Sequence, residues 1–260
     1  MKNFNLRLAH FFVLIVTICL IFSCKSSVRK LASIEGKNIE VSPEMNEVVD
    51  IDAFISPYRK HVQQEMALVL AQNPVLLQKD GNQANTALGN LFAEASFEIV
   101  NPIFLKKTGK QIDFVLLNSG GIRSDLLAGD VTVGTAYNLM PFENKMVVLE
   151  MKGNKINELA DYLAKAKKPH PLSHQIELQI TENAEIKKFL LHNQPINPEA
   201  TYFVATSDYL MNGGDGMVFF QNPVQIHETD YLIRNILIDY FKKIKVVQTK
   251  QDNRFIILKD

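Results

Sequence analysis

The sequence predicts an α+β fold, a single domain in which a mixed β-sheet packs against helices. Segments with apolar residues at helical spacing and short continuous apolar runs follow each other irregularly, without the strict strand–helix–strand alternation of an α/β protein. From residue 51 to residue 260 there is no internal repeat and no low-complexity break. The residues after position 24 suffice for one large domain or two small ones, and one domain is the simplest interpretation.

Helices are predicted where apolar residues recur every three to four positions. The predicted helices cover residues 51–72, 85–100, 154–166 and 230–244. Asn73-Pro74 closes the first of them, and Lys167-Lys168-Pro169 closes the third, because proline cannot continue a helix.

Strands are predicted where a short, continuous apolar run stands between turn residues. The predicted strands cover residues 112–118, 145–151, 174–180, 202–210 and 254–259. The first is interrupted by "SGG" and the fourth by "MNGGDG", so two of these strands lead directly into glycine-rich loops.

The N-terminal residues 1–24 predict an export signal rather than part of the fold. Lys2 and Arg7 precede an apolar run, "FFVLIVTICLIF", that is shorter than the roughly 20 residues of a membrane-spanning helix. The run ends in Ser23-Cys24, which resembles a bacterial lipoprotein signal in which Cys24 becomes the lipidated first residue. An uncleaved N-terminal anchor is the alternative. Either way we expect export and attachment to the bacterial cell envelope.

Residues 25–50 are polar and weakly periodic, which is typical of a tether that lifts a domain off a membrane. Lys25 after the lipidated cysteine is compatible with outer-membrane sorting, on the periplasmic or the surface face. Both cysteines, Cys19 and Cys24, fall inside the signal, so no disulfide or cysteine metal site is expected in the domain. The 28 basic and 28 acidic residues balance, which gives no electrostatic basis for binding nucleic acid.

Three loops interrupt apolar elements and are candidates for a site. The first, "LLNSGGIRSD", offers the Asn118 amide, two glycines that allow a sharp bend (Gly120 and Gly121) and the planar Arg123 guanidinium, which suits phosphate, carboxylate or a ring face. Taken alone, a Gly-Gly turn followed by a surface arginine is more often structural.

The second loop, "NLMPFENKM", places Phe142 after a proline in a polar segment, although an exposed phenylalanine is more often packed locally than used for binding. The third, "SDYLMNGGDG", combines Tyr209 at a strand end with Asp215, which Gly213 and Gly214 precede. A hairpin turn at Asn-Gly is again the structural alternative.

The three loops together, with "LGNLFAEA" upstream, resemble the C-terminal domain of the 5'-nucleotidase family, which also includes UDP-sugar hydrolases and 2',3'-cyclic-nucleotide phosphodiesterases. The resemblance covers about residues 50–260. It rests on the elements N-x-G-G-I-R, P-F and G-G-D-G, each weak alone but specific in combination and in this order.

The resemblance implies that the domain binds the nucleoside end of a nucleotide. The base would lie between the rings of Phe142 and Tyr209, where phenylalanine is more usual at the second position. Asp215 would accept hydrogen bonds from ribose hydroxyls, Asn118 would lie near the base, and Arg123 would contact ribose or phosphate. The stretch before "LGNL" is "DGNQANTA", which lacks an arginine that the family often has there.

Catalysis in this family belongs to a separate metallophosphatase domain with two metal ions, marked by D-x-H, G-N-H-[DE] and a later pair of histidines. The sequence contains none of these elements. His170 and His174 flank "PLS" but lack a carboxylate partner in the sequence pattern, so we do not expect a metal pair there.

The sequence therefore predicts the nucleotide-recognition half of a split 5'-nucleotidase, inactive alone, with no cofactor of its own. Divalent metals are expected only in a separate metallophosphatase chain. Two alternatives remain: a stand-alone nucleoside- or nucleotide-binding lipoprotein, and a non-catalytic surface scaffold.

Overall fold

The computed structural model describes residues 2–21, 31–40, 42, 48–81 and 84–259. Cys24, the predicted lipidation site, and parts of the predicted tether (25–30, 41 and 43–47) lie outside the described residues. The chain divides into two compact units, residues 1–52 and residues 53–260. Within the described ranges, no helix is both long enough and apolar enough to cross a membrane.

The helices and strands follow one another irregularly along the chain. The helices are α1 (Lys2–Ile21), α2 (Val49–Met66), α3 (Ala87–Thr108), α4 (Val133–Leu139), α5 (Gly153–Ala166), α6 (Asp208–Met211) and α7 (Ile233–Ile244). The strands are β1 (Val69–Asn73), β2 (Phe114–Val115), β3 (Gly129–Thr132), β4 (Lys145–Lys152), β5 (Ile176–Thr181), β6 (Ile186–Leu191), β7 (Gln194–Pro195), β8 (Thr201–Ser207), β9 (Gln225–Leu232) and β10 (Phe255–Leu258).

The strands form a central sheet in the order β2-β8-β4-β9, a second sheet in the order β10-β5-β6-β7, and the pair β1-β3. Each four-stranded sheet contains one parallel pair, β2-β8 or β10-β5, among antiparallel ones. The predicted α+β class with mixed sheets is confirmed.

Strand β4, which lies between β8 and β9 in the central sheet, is buried on both faces, and its successive side chains point to opposite sides. Along β4, Met146 and Val148 enter one core cluster together with side chains of α3 and α7. Val147, Leu149 and Met151 enter the other, together with side chains of α5 and the second sheet. This explains why "KMVVLEM" is a continuous apolar run rather than an alternating one.

The register of the central sheet brings three loops to one edge. Strands β2 and β8 are parallel, so both end at the same edge. Strand β4 runs antiparallel to β8, and Met146 at its start pairs with Ser207 at the end of β8. The loops after β2 and β8 and the loop before β4 therefore lie side by side.

The predicted helix over 51–72 is wrong in its last part. Helix α2 ends at Met66, and β1 follows, pairing antiparallel with β3 and burying Leu70 and Ala71. The periodicity of the segment fits a helix, but the hydrogen bonds that β3 offers favour an extended chain. Each residue of α2 is exposed or only half-buried, including Phe54 and Tyr58 of its apolar side.

Other boundaries differ from the prediction as well: helix α3 continues to Thr108, beyond the predicted end at residue 100, and the end of β8 and the start of α7 also shift. Strand β8 ends at Ser207, whose side-chain oxygen accepts a hydrogen bond from the Leu210 N–H and caps α6, so Asp208 and Tyr209 are helical. The predicted helix over 230–244 begins only at Ile233, because the preceding residues pair with β4. A local cap therefore sets the end of β8, and long-range strand pairing sets the start of α7.

Candidate functional site

A cleft of about 470 Å³ opens at the edge of the central sheet where the three loops meet. Its lining residues come from all three loops: Asn118, Gly120, Gly121, Arg123, Phe142, Asn144, Tyr209 and Asp215. The structure thus brings together seven of the nine residues singled out in the sequence. The other two residues do not line the cleft: Gly214 packs against the Tyr209 ring, and Gly213 packs against Gln221. Asn144 is a lining residue that the sequence did not single out.

Two aromatic rings, Phe142 and Tyr209, stand in the cleft with 43% of their surface exposed. The Arg123 guanidinium lies over the Phe142 ring, 5.6 Å from its centroid, and Arg123 Nη1 is 3.4 Å from the Gly120 carbonyl oxygen. Two half-exposed rings beside a cation favour a flat, polar ligand that can stack.

Arg234 fixes the loop that carries Phe142. Its guanidinium is buried, donates to the carbonyl oxygens of Pro141 (3.1 Å) and Phe142 (3.3 Å), and lies over the Tyr137 ring at 4.1 Å. Arg234 belongs to none of the three loops singled out in the sequence. The signal in the sequence is that Arg234 stands among the apolar positions of an amphipathic helix. A charge that is buried at such a position needs hydrogen-bond partners.

Asp215 is held by the two tyrosines around it. Tyr209 Oη donates to Asp215 Oδ1 at 2.9 Å and accepts from the Asp215 backbone N–H at 3.2 Å. Tyr162 Oη, on α5, donates to the Asp215 carbonyl oxygen at 2.8 Å. Asp215 has a φ of 54°, in the left-handed region that non-glycine residues rarely adopt, so these bonds stabilise an unusual turn.

The glycines before Asp215 are needed for close approach and for backbone conformation. A Cβ at Gly214 would lie 2.4 Å from the Tyr209 ring, so only glycine lets the turn pack against that ring. Gly213 has a φ of 88°, and a Cβ there would meet the Gln221 amide at 2.5 Å. One side of the Tyr209 ring is therefore covered by backbone.

The Asn118 loop is a short 3-10 helix, Ser119–Gly121, at the end of β2. The Asn118 side chain folds over this turn, and a Cβ at Gly121 would lie 3.2 Å from its Oδ1. Asn144 is oriented by Asp208, whose Oδ1 is 3.3 Å from Asn144 Nδ2.

His170 lies behind the cleft and is 3% exposed. Its Nδ1 accepts a hydrogen bond from the Ser119 N–H at 3.2 Å, and its ring centroid is 6.0 Å from that of Tyr162. Because Nδ1 is an acceptor, the neutral ring carries its proton on Nε2, a buried atom without a hydrogen-bond partner in the part of the chain described. Burial lowers the pKa of His170 to about 4, with the Asp215 charge acting in the opposite direction.

His170 and His174 have different partners and do not form a pair. His174 Nδ1 lies 2.7 Å from Glu94 Oε2, while His170 is hydrogen-bonded to the Ser119 loop. Among the described residues, no group of three His, Cys, Asp or Glu side chains has the arrangement to hold a metal ion.

The sequence matches the family described as 5'-nucleotidase, C-terminal domain, over residues 69–222. Similar proteins include UshA of Escherichia coli, 22% identical over 83% of this chain and 38% of UshA, and a 5'-nucleotidase of Vibrio vulnificus, 23% identical over 84% of this chain and 39% of that protein. The chain thus spans about two fifths of the length of the curated relatives it matches.

Solved structures show the same fold. The 5'-nucleotidase precursor of Thermus thermophilus superimposes with a TM-score of 0.67 at 24% identity, over 82% of this chain and 44% of that one. The NAD nucleotidase of Haemophilus influenzae gives a TM-score of 0.60 at 17% identity, over 82% of this chain and 42% of that one.

Proposed function

Because the chain belongs to the 5'-nucleotidase C-terminal domain family, we propose that its cleft binds a nucleoside or nucleotide. The observation that carries the proposal is the meeting of Phe142, Tyr209, Asp215, Asn118 and Arg123 in one cleft of about 470 Å³. They come from three loops far apart in sequence, and each supplies a group that one part of a nucleotide needs.

The base would stack between the exposed rings of Phe142 and Tyr209. Stacking on an aromatic side chain is worth roughly 1–3 kcal/mol per base and requires only a π face, so tyrosine serves as well as phenylalanine. Gly214 backs the Tyr209 ring, and Arg234 fixes the Phe142 backbone, so the two walls are preorganised.

The sugar and phosphate would contact the charged groups of the cleft. The Asp215 carboxylate is the anionic hydrogen-bond acceptor among the lining residues and suits sugar hydroxyls. Arg123 is the cation among them and suits a phosphate oxygen. Asn118 offers both a donor and an acceptor for a base edge.

We infer further that phosphoester hydrolysis needs a second, metallophosphatase chain. The curated relatives are more than twice as long as the part matched here. Metal-assisted hydrolysis requires ions that activate water and stabilise charge on the phosphate. The donor set in the described part of this chain does not fit such a site, so we expect the divalent metals in the partner. Lipidation of Cys24 would tether the domain to the cell envelope.

Two measurements on the purified protein test this function. Calorimetry with adenosine and AMP should show binding to the protein alone. Incubation with AMP and Mn²⁺ or Zn²⁺ should release no phosphate at enzymatic rates, which are typically about 1–1,000 per second. Phosphate release at such rates by this chain alone would refute the split arrangement.

A pull-down from envelope extract distinguishes the remaining possibilities. Recovery of a metallophosphatase that hydrolyses AMP faster when this chain is added supports the split enzyme. Nucleoside binding without such a partner indicates a stand-alone binding protein. Absence of binding to any nucleoside or nucleotide would refute ligand recognition and leave a surface scaffold.

A further inference from the structure

We propose that helix α2 is an interface between two copies of this chain, which pair in an antiparallel arrangement through its apolar stripe. The stripe consists of Ile51, Phe54, Ile55, Tyr58 and Val62. The described lining of the cleft includes none of these residues. The inference therefore adds a second copy as a partner, at a surface that nucleoside binding does not use, and it is independent of the proposed function.

The stripe follows from the spacing of apolar residues along α2. They recur at intervals of four, three and four positions, at Ile51, Ile55, Tyr58 and Val62. This is the spacing of the contact line between two paired helices. Phe54 widens the line, and its ring centroid is 5.9 Å from that of Tyr58. With about 3.6 residues per turn, the five side chains share an arc of about 100° on the helix surface.

The stripe is exposed within the described part of the chain. Each of its five residues has between 38% and 71% of its surface exposed, and none of the residues of α2 is buried. A helix face with apolar residues at this spacing is stable when another surface covers it, and exposed apolar patches mark interaction sites. Pro57 lies about 120° around the helix from Ile51, so its ring does not obstruct the stripe.

The charges beside the stripe favour a second copy in antiparallel orientation. Asp52 and Arg59 lie two turns apart on one flank of the stripe, and Asp50 and His61 lie on the other. In an antiparallel pair, equal flanks of the two helices meet. One register then sets Asp52 opposite Arg59, and Asp50 opposite His61, of the second copy. In a parallel pair, unequal flanks would meet, and acidic residues would face acidic ones.

The same register fits the apolar side chains together. It places Ile51 of one copy between Tyr58 and Val62 of the other, and the two copies of Ile55 meet at the centre. Helix α2 has 18 residues and is about 27 Å long. Two helices of this length bury an area at or below the low end of the roughly 1,200–2,000 Å² of stable complexes. We therefore expect a reversible dimer, with a dissociation constant on the order of 10 µM.

A membrane surface fits the stripe less well than a second copy does. Helices that lie on a membrane surface carry lysine and arginine along their polar face, which attract anionic lipids. Each flank of this stripe instead carries an acidic residue, Asp50 or Asp52, two to three turns before a basic one. Alternation of sign along both flanks suits a partner with the reverse order of charges, which the antiparallel second copy supplies.

Analytical ultracentrifugation of the purified protein tests the dimer. Between about 1 and 300 µM, wild type should pass from monomer to dimer, since this range spans the expected dissociation constant. Ile55→Glu places two carboxylates at the centre of the interface and should weaken the dimer at least about tenfold. Gln64→Glu adds the same charge on the side away from the stripe and is the matched control. Because no residue of α2 is buried, both variants should unfold at the same urea concentration as wild type.

Charge reversal tests the antiparallel register. Asp52→Lys and Arg59→Glu each set like charges opposite one another in a homodimer, and each should weaken self-association by about tenfold. An equimolar mixture of the two variants should dimerise as wild type does, because the facing charges are then opposite at both positions. Mixing would not reverse a loss of helix stability, so recovery separates pairing between copies from a structural role within one copy.

Several outcomes would overturn the inference without affecting nucleoside binding in calorimetry. They are a wild type that stays monomeric at 300 µM, a dimer that Ile55→Glu leaves as strong as in wild type, and a mixture of the charge variants that stays monomeric. Binding of a monomeric wild type to phosphatidylglycerol vesicles, lost in Ile55→Glu, would assign the stripe to a membrane instead. Loss of the metallophosphatase from the pull-down with Ile55→Glu, while wild type is monomeric, would assign it to that chain.

Discussion

The cleft and the Arg254 cluster (Arg254, Asp252, Glu94 and His174) both contain charged side chains. They differ in how many of the hydrogen-bonding groups of those side chains are bonded within the protein. In the cluster, the Arg254 side chain is 7% exposed, and its guanidinium makes four bonds, two to Asp252, one to Glu94 and one to the Leu172 carbonyl oxygen. In the cleft, the rings are half-exposed, and the nearby Asp215 has one carboxylate oxygen engaged.

This difference separates a structural site from a binding site better than charge does. A buried guanidinium whose N–H groups are bonded within the protein has few donors free for a ligand. It instead holds its partner residues in position. A site whose polar groups still have free hydrogen-bonding capacity and whose aromatic rings face solvent can form new hydrogen bonds and bury apolar surface when a ligand binds. Three predictions test this division, taken in order of expected size.

Arg254→Ala should give the largest effect, a loss of about 3–5 kcal/mol in the free energy of unfolding, because it leaves the Asp252 and Glu94 carboxylates without their cation. Urea denaturation followed by circular dichroism measures it. Lys187→Ala, which removes an exposed pair with Glu185, is the control and should change stability by less than about 1 kcal/mol. Equal losses in the two variants would contradict a structural role for the cluster.

His170 is intermediate between the two regions, since it is buried but supports the cleft. Its pKa is about 4 when folded against an ordinary 6.5, so the unfolded chain binds the proton first as the pH falls. Stability should therefore decrease from pH 6.5 to pH 4, and the part due to His170 should be on the order of 3 kcal/mol.

His170→Asn isolates this contribution. The Asn amide oxygen can accept the Ser119 N–H as His170 Nδ1 does, but it does not titrate. Wild type should lose more stability than the variant between pH 7 and pH 4, as measured by urea denaturation at each pH. Parallel stability curves for the two proteins would show that His170 is not kept neutral by burial.

Phe142→Ala should have the smallest effect on stability, and its main effect should be on ligand binding. Loss of one stacking wall should weaken adenosine binding by roughly 1–3 kcal/mol, which is about 5- to 150-fold. Because the ring is 43% exposed, the free energy of unfolding should change by about 1 kcal/mol at most. Calorimetry and urea denaturation on the same sample check both. A variant that loses stability but keeps its affinity would mean that the ring is structural.

The sequence predicted the fold class, the strands β2, β4 and β8 that lead to or from the cleft, and the three loops that form it, but not α4, α6 or β9. It erred where long-range pairing overrides local pattern, as at β1, where a helical periodicity becomes a strand because β3 lies beside it. It also missed supporting residues such as Arg234 and Tyr162, whose roles depend on carbonyl oxygens about 92 and 53 residues away along the chain. No local pattern marks such partners.

By itself, the sequence determined which chemical groups the loops carry, among them the rings of Phe142 and Tyr209, the Asp215 carboxylate, the Arg123 guanidinium, and glycines where the backbone must turn. These follow from residue identity and from periodicities that extend over a few residues. Only the tertiary structure decided that the three loops share one edge, since the parallel pairing of β2 with β8 and the antiparallel pairing of β4 join residues distant in the chain. It also decided that Tyr209 holds Asp215, because a hydrogen bond depends on distances that the order of residues does not specify.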